Sequence, residues 1–211
     1  MDINLTDYFD TLASSWDSNP EKVTRAEVTA KKIKEVGFLS TKSLVDFGSG
    51  TGLLGVQLLD IFSKVTLVDS SRQMLDIAKD KIVAGNIPNI EIQCVQALSE
   101  VSAKHSAIAT LMTLHHIDNI DQFFSQAFDK LEQDGILIIA DLYKEDGSFH
   151  KHNPTYDGHN GFDINNLTTI AQNAEFDVLS VEKYFEIRQE NFDGLKVSFP
   201  LFLFVAKKKI T

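Results

Sequence analysis

The 211-residue sequence predicts an α/β protein with a doubly wound, mostly parallel sheet of seven strands that ends in an antiparallel hairpin. Three observations carry this prediction. Strand-like apolar runs alternate with helix-like stretches along most of the chain. A glycine-rich turn follows the first run, where sheets of this type bind ligands. Near the end, two strand-like runs are joined by a connection too short for a crossover, so they must pair antiparallel.

The strands are predicted from apolar runs bounded by polar residues. Those that precede the hairpin lie near residues 44–47, 65–69, 90–95, 107–114 and 135–142. The hairpin strands are predicted over residues 176–187 and 197–206. Pro200 cannot donate a ladder hydrogen bond, so we expect it at a bulge or before the paired part of its strand.

Helices are predicted from signals at their ends and from apolar spacing. Asn19 and Pro20 supply an N-cap and a first-turn proline. Ser70 and Gln73 have the spacing of a capping box for the helix after the second strand. Between residues 118 and 131, apolar side chains recur at helical spacing, which predicts a helix that covers one face of the sheet.

Composition limits the classes of protein that fit this chain. A 43% hydrophobic content suits one compact domain. Cys94 is the single cysteine, so an internal disulfide is impossible, and its place in a strand-like run predicts a buried thiol. A net charge of −10 argues against a nucleic-acid partner. Because no apolar run approaches about 18 residues and no signal peptide is recognisable, we expect a cytoplasmic protein without membrane contact.

The most informative segment is residues 46–52, Asp-Phe-Gly-Ser-Gly-Thr-Gly, which follows a strand and leads into the helix-like stretch 53–59. Glycine at every second position allows backbone angles that other residues avoid and lets the amides approach a ligand closely. Asp69 ends the next strand, where a carboxylate can bind both ribose hydroxyls of a nucleotide-type cofactor.

Two glycine registers lead to different cofactors. Gly50, Gly52 and Gly55 match the dinucleotide pattern of an NAD-dependent oxidoreductase, which we keep as an alternative. In that pattern the first glycine directly follows the strand, whereas here four residues that begin with Asp46 intervene. A carboxylate suits the sulfonium and ammonium of S-adenosylmethionine better than it suits a pyrophosphate.

The chain resembles class I S-adenosylmethionine-dependent methyltransferases, and the resemblance covers nearly its whole length. It consists of the turn 46–52 with Asp69, the segment 8–17 (Tyr-Phe-Asp at its start, Trp-Asp at its end) and the segment 114–117, Leu-His-His-Ile. The last two are similar to the small-molecule branch, including methylases of quinone biosynthesis. The cofactor-binding residues that the resemblance and the pattern imply are Asp46, Gly48, Ser49, Gly50, Gly52, Asp69, Ser70, Met74, Gln96 and Ala97.

Two of these positions leave alternatives open. Met74 either packs against the adenine edge or fills the core. Gln96 stands where most relatives place an aspartate that accepts a hydrogen bond from the adenine amino group, and an amide oxygen accepts without a charge.

The reaction chemistry is predicted from histidines that follow strand ends. His115, and after it His116, are the candidates for taking a proton from the methyl acceptor. Packing or capping at the strand end is the alternative role for either. The residues expected to contact the acceptor are Tyr8, Trp16, His150, His152 and Tyr156. The N-terminal aromatics among them either cover the cofactor or staple the segment to the core.

A metal site is a further alternative for the loop 143–162, because His150, His152, His159 and Asp157 are possible zinc ligands. Their spacing matches no strong metal pattern, so we expect no metal there. The single domain, 1–211, is divided into an N-terminal helical cap (1–40), a cofactor-binding core (41–142), a candidate acceptor-site loop (143–162) and a final helix with the hairpin (163–211).

These predictions imply a methyltransferase for a small-molecule acceptor, with the oligomeric state left open. A non-catalytic sensor that binds S-adenosylmethionine is an alternative. It would use Phe199, Phe202 and Phe204 of the hairpin as a protein interface.

Overall fold

The structure, a computed structural model, describes residues 5–38, 40–153 and 156–210. The helices are α1 (Leu5–Leu12), α2 (Pro20–Lys34), α3 (Arg72–Ala84), α4 (Ile120–Lys130) and α5 (Ile164–Asn173). The strands are β1 (Leu44–Phe47), β2 (Val65–Asp69), β3 (Ile90–Cys94), β4 (His105–Leu111), β5 (Leu131–Leu142), β6 (Phe176–Glu190) and β7 (Lys196–Lys208). Short 3₁₀ segments cover Ala13–Ser18, Gly55–Asp60, Leu98–Glu100, Leu114–His116 and Ser148–His150.

The strands form one sheet in the order β3-β2-β1-β4-β5-β7-β6. The first five are parallel, and β7 pairs antiparallel with both β5 and β6. The predicted seven-stranded, doubly wound sheet with its terminal hairpin is therefore confirmed. This order reverses direction between β1 and β4, and ligands bind in such sheets at the carboxyl ends of the strands around that point.

Alternate residues of the buried strands contribute to two apolar clusters, one on each face of the sheet. One cluster contains Phe123 and Phe124 of α4, as the apolar stripe of that helix predicts. The other contains Ile33 of α2 and Leu75 of α3. Helices thus cover both faces, and the polar residues at the carboxyl edge of the sheet are held on a rigid base.

Two helix predictions need correction. Residues 53–59 form turns and a 3₁₀ segment rather than a regular helix. The N-cap of α3 is Ser71, not Ser70, because the Ser71 hydroxyl accepts a hydrogen bond from Met74 N at 3.1 Å. Asn19 caps α2 as predicted, by accepting from Glu21 N at 2.9 Å.

Two strand predictions also differ from the structure. Cys94 is exposed, because β3 lies at the edge of the sheet and its end is only lightly covered. Pro200 directly precedes the part of β7 that pairs with β5, as predicted. It does not precede the part that pairs with β6, because it lies within that ladder, opposite Glu186.

The hairpin phenylalanines do not form the exposed surface that the sensor alternative requires. Phe199 is 3% exposed, and Phe202 and Phe204 are fully buried against β5 and the helices beneath. Among the described residues, no helix combines the length and the apolar composition needed to cross a membrane.

Candidate active site

The glycine turn after β1 adopts the backbone that its sequence requires. Gly48, Gly50 and Gly52 have φ values of 72°, 53° and 80°. A Cβ at Gly48 would lie 2.2 Å from Thr113 Cγ2, which leaves no room for any side chain. The amides of Gly48 and Ser49 donate to Val68 O at 2.8 and 2.9 Å, so the turn is fixed against β2.

Asp46 is a buried carboxylate at the base of this turn. It is 1% exposed and accepts a hydrogen bond from Gly55 N at 2.8 Å. Burial raises its pKa to about 7; the bond from Gly55 opposes this shift and the charge of Asp69 adds to it. A ligand cation beside Asp46 would therefore stabilise its charged form.

Gly55, the third glycine of the dinucleotide register, is a packing residue. A Cβ there would lie 2.5 Å from Leu67 Cδ2 and 2.9 Å from Asp46 Oδ2, so this glycine allows close packing on β2 and on Asp46. Gly55 does not line the cavity at the carboxyl edge of the sheet. Because the third glycine of the dinucleotide pattern also serves packing, Gly55 does not separate the two registers.

Asp69 at the end of β2 joins the turn to α3. Its Oδ2 accepts from Gly50 N at 2.7 Å and its Oδ1 from Ser71 N at 2.8 Å. Burial raises its pKa, while these backbone donors act in the opposite direction. Each carboxylate oxygen keeps a second lone pair, so Asp69 can still accept from two hydroxyls of a ligand.

A cavity of about 860 Å³ opens over these residues. We define its cofactor half by the predicted cofactor-binding residues that line it: Asp46, Gly48, Ser49, Gly50, Asp69, Ser70, Met74, Gln96 and Ala97. Gly52 is not among the lining residues. A Cβ at Gly52 would lie 2.8 Å from Leu67 Cδ1, so its role is to shape the turn. Met74 is 1% exposed and also lines the cavity, so it fills the core and is placed where it could pack against the adenine edge.

The N-terminal segment covers the cofactor half. Tyr8, Phe9 and Trp16 all line the cavity, and the Phe9 and Trp16 rings meet edge to face at 5.8 Å. An ion pair of 2.6 Å between Asp17 and Lys81 ties this segment to α3. The arrangement agrees with a cover over the cofactor, and Trp16 Nε1 lies near Gly50 rather than on the histidine side of the cavity.

The opposite side of the cavity is built around a buried His–Asp pair. His115 Nδ1 donates to Asp141 Oδ1 at 2.7 Å, and His115 N donates to Asp141 Oδ2 at 3.2 Å. His115 is 1% exposed and Asp141 is fully buried. Leu142 N also donates to Asp141, so the carboxylate is fixed by the end of β5 and in turn fixes the imidazole ring.

Two more histidines and a tyrosine complete this side. We call His115, His116 and His150 the histidine cluster, and the cluster with Tyr156 the acceptor half. The ring centroid of His115 lies 4.1 Å from that of His116 and 5.0 Å from that of His150. His150 stacks on Tyr156 at 3.7 Å, and the Tyr156 hydroxyl donates to His159 O at 2.7 Å.

Burial disfavours the charged forms of His116, His150 and Tyr156. Desolvation, with a smaller effect from the other histidines, lowers the pKa of His116 to about 2. Desolvation likewise lowers the pKa of His150 to about 4, and it raises the pKa of the Tyr156 hydroxyl. Imidazoles that stay neutral keep a free lone pair, which can accept a proton or bind a metal.

The structure brings together most, but not all, of the predicted acceptor residues. Tyr8, Trp16, His150 and Tyr156 line the cavity, whereas His152 is exposed and does not. The loop set considered as metal ligands is not assembled, since His159 Nε2 pairs with Ile117 O at 2.9 Å. Among the described residues, the histidines that do converge are those of the histidine cluster.

Two residues of the site escaped sequence reasoning, Asp141 behind His115 and Arg25 in the cavity wall. Asp141 interrupts the apolar run of β5, and a charged residue inside a buried strand is the signal that could have identified it. Arg25 of α2 lines the cavity and neighbours the buried Ala26 and Thr29. Its Nε is buried without a hydrogen-bond partner among the described residues, and desolvation lowers the pKa of its guanidinium.

Comparison with known proteins agrees with this site. Residues 22–181 match the family model described as a methyltransferase domain. The chain belongs to this family, and the class I methyltransferase prediction is confirmed. Membership of this family implies the predicted cofactor, S-adenosylmethionine.

The curated relatives are similar over part of their length. An uncharacterized methyltransferase, C1347.09 of Schizosaccharomyces pombe, is 30% identical over 121 residues, which are 53% of this chain and 42% of the relative. The mitochondrial ubiquinone biosynthesis O-methyltransferase of the same yeast is 21% identical over 153 residues, 67% of this chain and 56% of the relative. The chain thus spans about half the length of these relatives.

Solved structures share the fold. A SAM-dependent methyltransferase from Aquifex aeolicus superimposes with a TM-score of 0.69 at 17% identity, over 97% of this chain and 98% of that one. An S-adenosylmethionine-dependent methyltransferase from Clostridium acetobutylicum gives 0.67 at 14% identity, over 98% and 100%. At such identities the likeness concerns the fold alone.

Proposed function

We propose that this protein transfers a methyl group from S-adenosylmethionine to a small-molecule acceptor. The observation that carries the proposal is the single cavity that both the cofactor half and the acceptor half line. Its volume of about 860 Å³ is within the range of small-molecule sites, which is roughly 300–1,000 Å³. A cofactor that occupies one half leaves room for a compact acceptor in the other.

The cofactor half offers a partner for each charged or polar part of S-adenosylmethionine. Asp46 suits the ammonium, and Asp69 suits the ribose hydroxyls. Arg25, a cation with no carboxylate within ion-pair distance among the described residues, suits the methionine carboxylate. When bound, S-adenosylmethionine supplies a methyl carbon made electrophilic by its sulfonium.

The acceptor half supplies alignment and exclusion of water. Phe9 meets the His116 ring edge to face at 5.3 Å, so the N-terminal cover reaches from the cofactor half to the histidine cluster. A covered site of this kind places nucleophile and methyl in line, which contributes up to about 7–11 kcal/mol to catalysis. Proton removal by His115, oriented by Asp141, remains our prediction for an acceptor that carries a proton.

The type of acceptor is supported by three observations. The net charge of −10 disfavours a polyanionic acceptor. The ubiquinone biosynthesis O-methyltransferases among the relatives are named for a small-molecule pathway. Residues 143–162 contribute His150 and Tyr156 to the cavity, so we retain this loop as the acceptor-site loop and residues 1–40 as the cap within one domain.

Calorimetry with S-adenosylmethionine, S-adenosylhomocysteine and NAD in parallel tests the cofactor half. We expect micromolar binding of the first two and none of NAD, and Arg25→Gln should weaken both. A screen of small acceptors with methyl-labelled cofactor then tests transfer. Binding without transfer to any acceptor would favour the sensor alternative.

A further inference from the structure

We infer that the histidine cluster is a binding site for a divalent transition metal such as zinc, with one coordination position open toward the acceptor. The inference rests on the proposed function, because it assigns chemistry to the acceptor half of the same cavity. One ring nitrogen from each of His115, His116 and His150 lies within 4.8 Å of the others. Three zinc-bound imidazoles have nitrogens about 3.3 Å apart, given zinc–nitrogen bonds of about 2.0–2.1 Å in a tetrahedron. The nitrogens must therefore approach one another by up to about 1.5 Å to share one zinc ion.

The ring of His115 is oriented by a carboxylate, as the rings of metal-binding histidines commonly are. Such a histidine donates its second ring N–H to a carboxylate, which fixes its orientation and increases its basicity. His115 Nδ1 makes this bond to the buried Asp141 at 2.7 Å. Its Nε2 is then the nitrogen with a free lone pair.

The other two rings are available as neutral ligands. Nδ1 of His150 is buried and has no hydrogen-bond partner among the described residues, which is costly unless something binds it. The stacked Tyr156 ring fixes the plane of His150, and Phe9 packs edge to face on His116.

The surrounding charges suit a cation. Asp141 is hydrogen-bonded to His115, and Asp157 lines the same cavity. These carboxylates make the potential around the cluster negative, against the positive charge of Arg25. All three histidines line the cavity, so a metal bound by them would face the space left for the acceptor.

Three protein ligands and one open position are typical of catalytic rather than structural zinc sites. Here the open position would take an oxygen of the acceptor, such as a hydroxyl or a carboxylate. His115 would then act as a ligand, and the metal would hold and polarise the acceptor oxygen. The acceptor class that follows is a small molecule with an oxygen donor next to the atom that is methylated, or at that atom.

The test is metal binding by the full chain after chelator treatment. Titration with Zn²⁺ in a calorimeter should give about one equivalent, and Co²⁺ should produce the visible absorption bands of a tetrahedral site. His116→Gln and His150→Gln should each remove most of this binding. Asp141→Asn should weaken it about 10–100-fold, as expected for a residue that orients a ligand. His152→Gln, an exposed histidine on the same loop, is the matched control and should bind metal normally.

The outcomes separate this inference from the proposed function. Failure of the metal-free protein to bind Co²⁺, or binding that His150→Gln leaves unchanged while circular dichroism shows a folded protein, overturns the metal site. S-adenosylmethionine binding to the same metal-free protein, measured in parallel, tests the cofactor half independently. Methyl transfer that continues at full rate in the metal-free protein would return His115 to the role of a base.

Discussion

The two halves of the cavity are built in different ways. The cofactor half consists largely of one turn, residues 46–52, and of the segments at the ends of β2 and β3. The acceptor half joins His115 and His116 after β4 to His150 and Tyr156 in the loop beyond β5, and Asp141 at the end of β5 holds His115. Backbone geometry dominates the first half, and side-chain contacts between distant segments dominate the second.

Because of this difference, mutations should act through different mechanisms in the two halves. In the cofactor half a change acts through the position of backbone amides, as the bonds of Asp69 to Gly50 and Ser71 show. In the acceptor half a change acts through imidazole rings that hold one another by packing and by a single carboxylate. We therefore expect mutations in the acceptor half to affect turnover, and mutations in the cofactor half to affect cofactor affinity.

The largest effect is expected for His115→Ala. Whether His115 is a base or a metal ligand, its loss should reduce turnover by about 100-fold or more, since general bases typically contribute about 10²–10⁴. Cofactor affinity should change little, because His115 belongs to the acceptor half. Steady-state kinetics and calorimetry on the same preparation check both expectations.

The control for this variant is His152→Ala, which removes an exposed histidine that does not line the cavity. It should retain wild-type turnover. Equal losses in the two variants would mean that the loop folds over the acceptor and that His152 belongs to the site after all.

The converse is expected for Asp69→Ala. Loss of two charge-assisted hydrogen bonds to the ribose should weaken cofactor binding by about 2–4 kcal/mol. The released amide of Gly50 adds to the loss, because the turn is no longer fixed at that point. Asp80→Ala, at an exposed position of α3, should bind the cofactor as the wild type does. Unchanged affinity in Asp69→Ala would refute the ribose role.

The contrast between the halves also explains what the sequence could predict. Local signals define the cofactor half: alternate glycines favour positive φ, and an aspartate at a strand end marks the predicted ribose position. The same signals supported the seven-stranded sheet and its terminal hairpin. Gly52 and Gly55 show the limit, because their sequence pattern does not reveal that they are needed for packing against Leu67.

The acceptor half depends on contacts that sequence spacing does not encode. His115 and Asp141 are 26 positions apart and meet only because β4 and β5 are neighbours in the sheet. His150 and His152 are both histidines of the same loop, yet only His150 reaches the cluster. Arg25 was missed for a similar reason, because its role depends on which side of α2 faces the cavity.

The two halves meet at Gly48, whose Cα faces Thr113 just before His115. Gly48→Ala combines a positive φ with overlap on Thr113, whereas Gly194→Ala, in the exposed tip of the hairpin, has a positive φ but open space around it. Both should lose about 1–2 kcal/mol of unfolding free energy from the backbone. Gly48→Ala should lose about 1–3 kcal/mol more from overlap, with reduced cofactor affinity. Denaturant titrations of the two variants measure the difference, and equal losses would show that Thr113 moves aside freely.

The smallest effect is a pH dependence that belongs to the cofactor half alone. Because burial raises the pKa of Asp46 to about 7, the free protein holds a proton there at pH 6 that an ammonium ligand must displace. Cofactor affinity should therefore rise by up to about tenfold from pH 6 to pH 8, with proton release on binding.

The stability of the free protein changes in the opposite direction. The folded state retains this proton between about pH 4 and 7 while the unfolded chain releases it, so the unfolding free energy contributed by Asp46 falls as pH rises through that window. The charge of Asp69 adds to the raised pKa of Asp46, and the raised pKa of Asp69 itself also makes the unfolding free energy fall as pH rises.

Asp46→Asn should bind the cofactor more weakly and should lose most of the pH dependence of affinity. Titration of the cofactor's own groups is the same for both proteins, so calorimetry of the pair across this pH range isolates Asp46. A variant that keeps the full pH dependence would assign it to Asp69 instead.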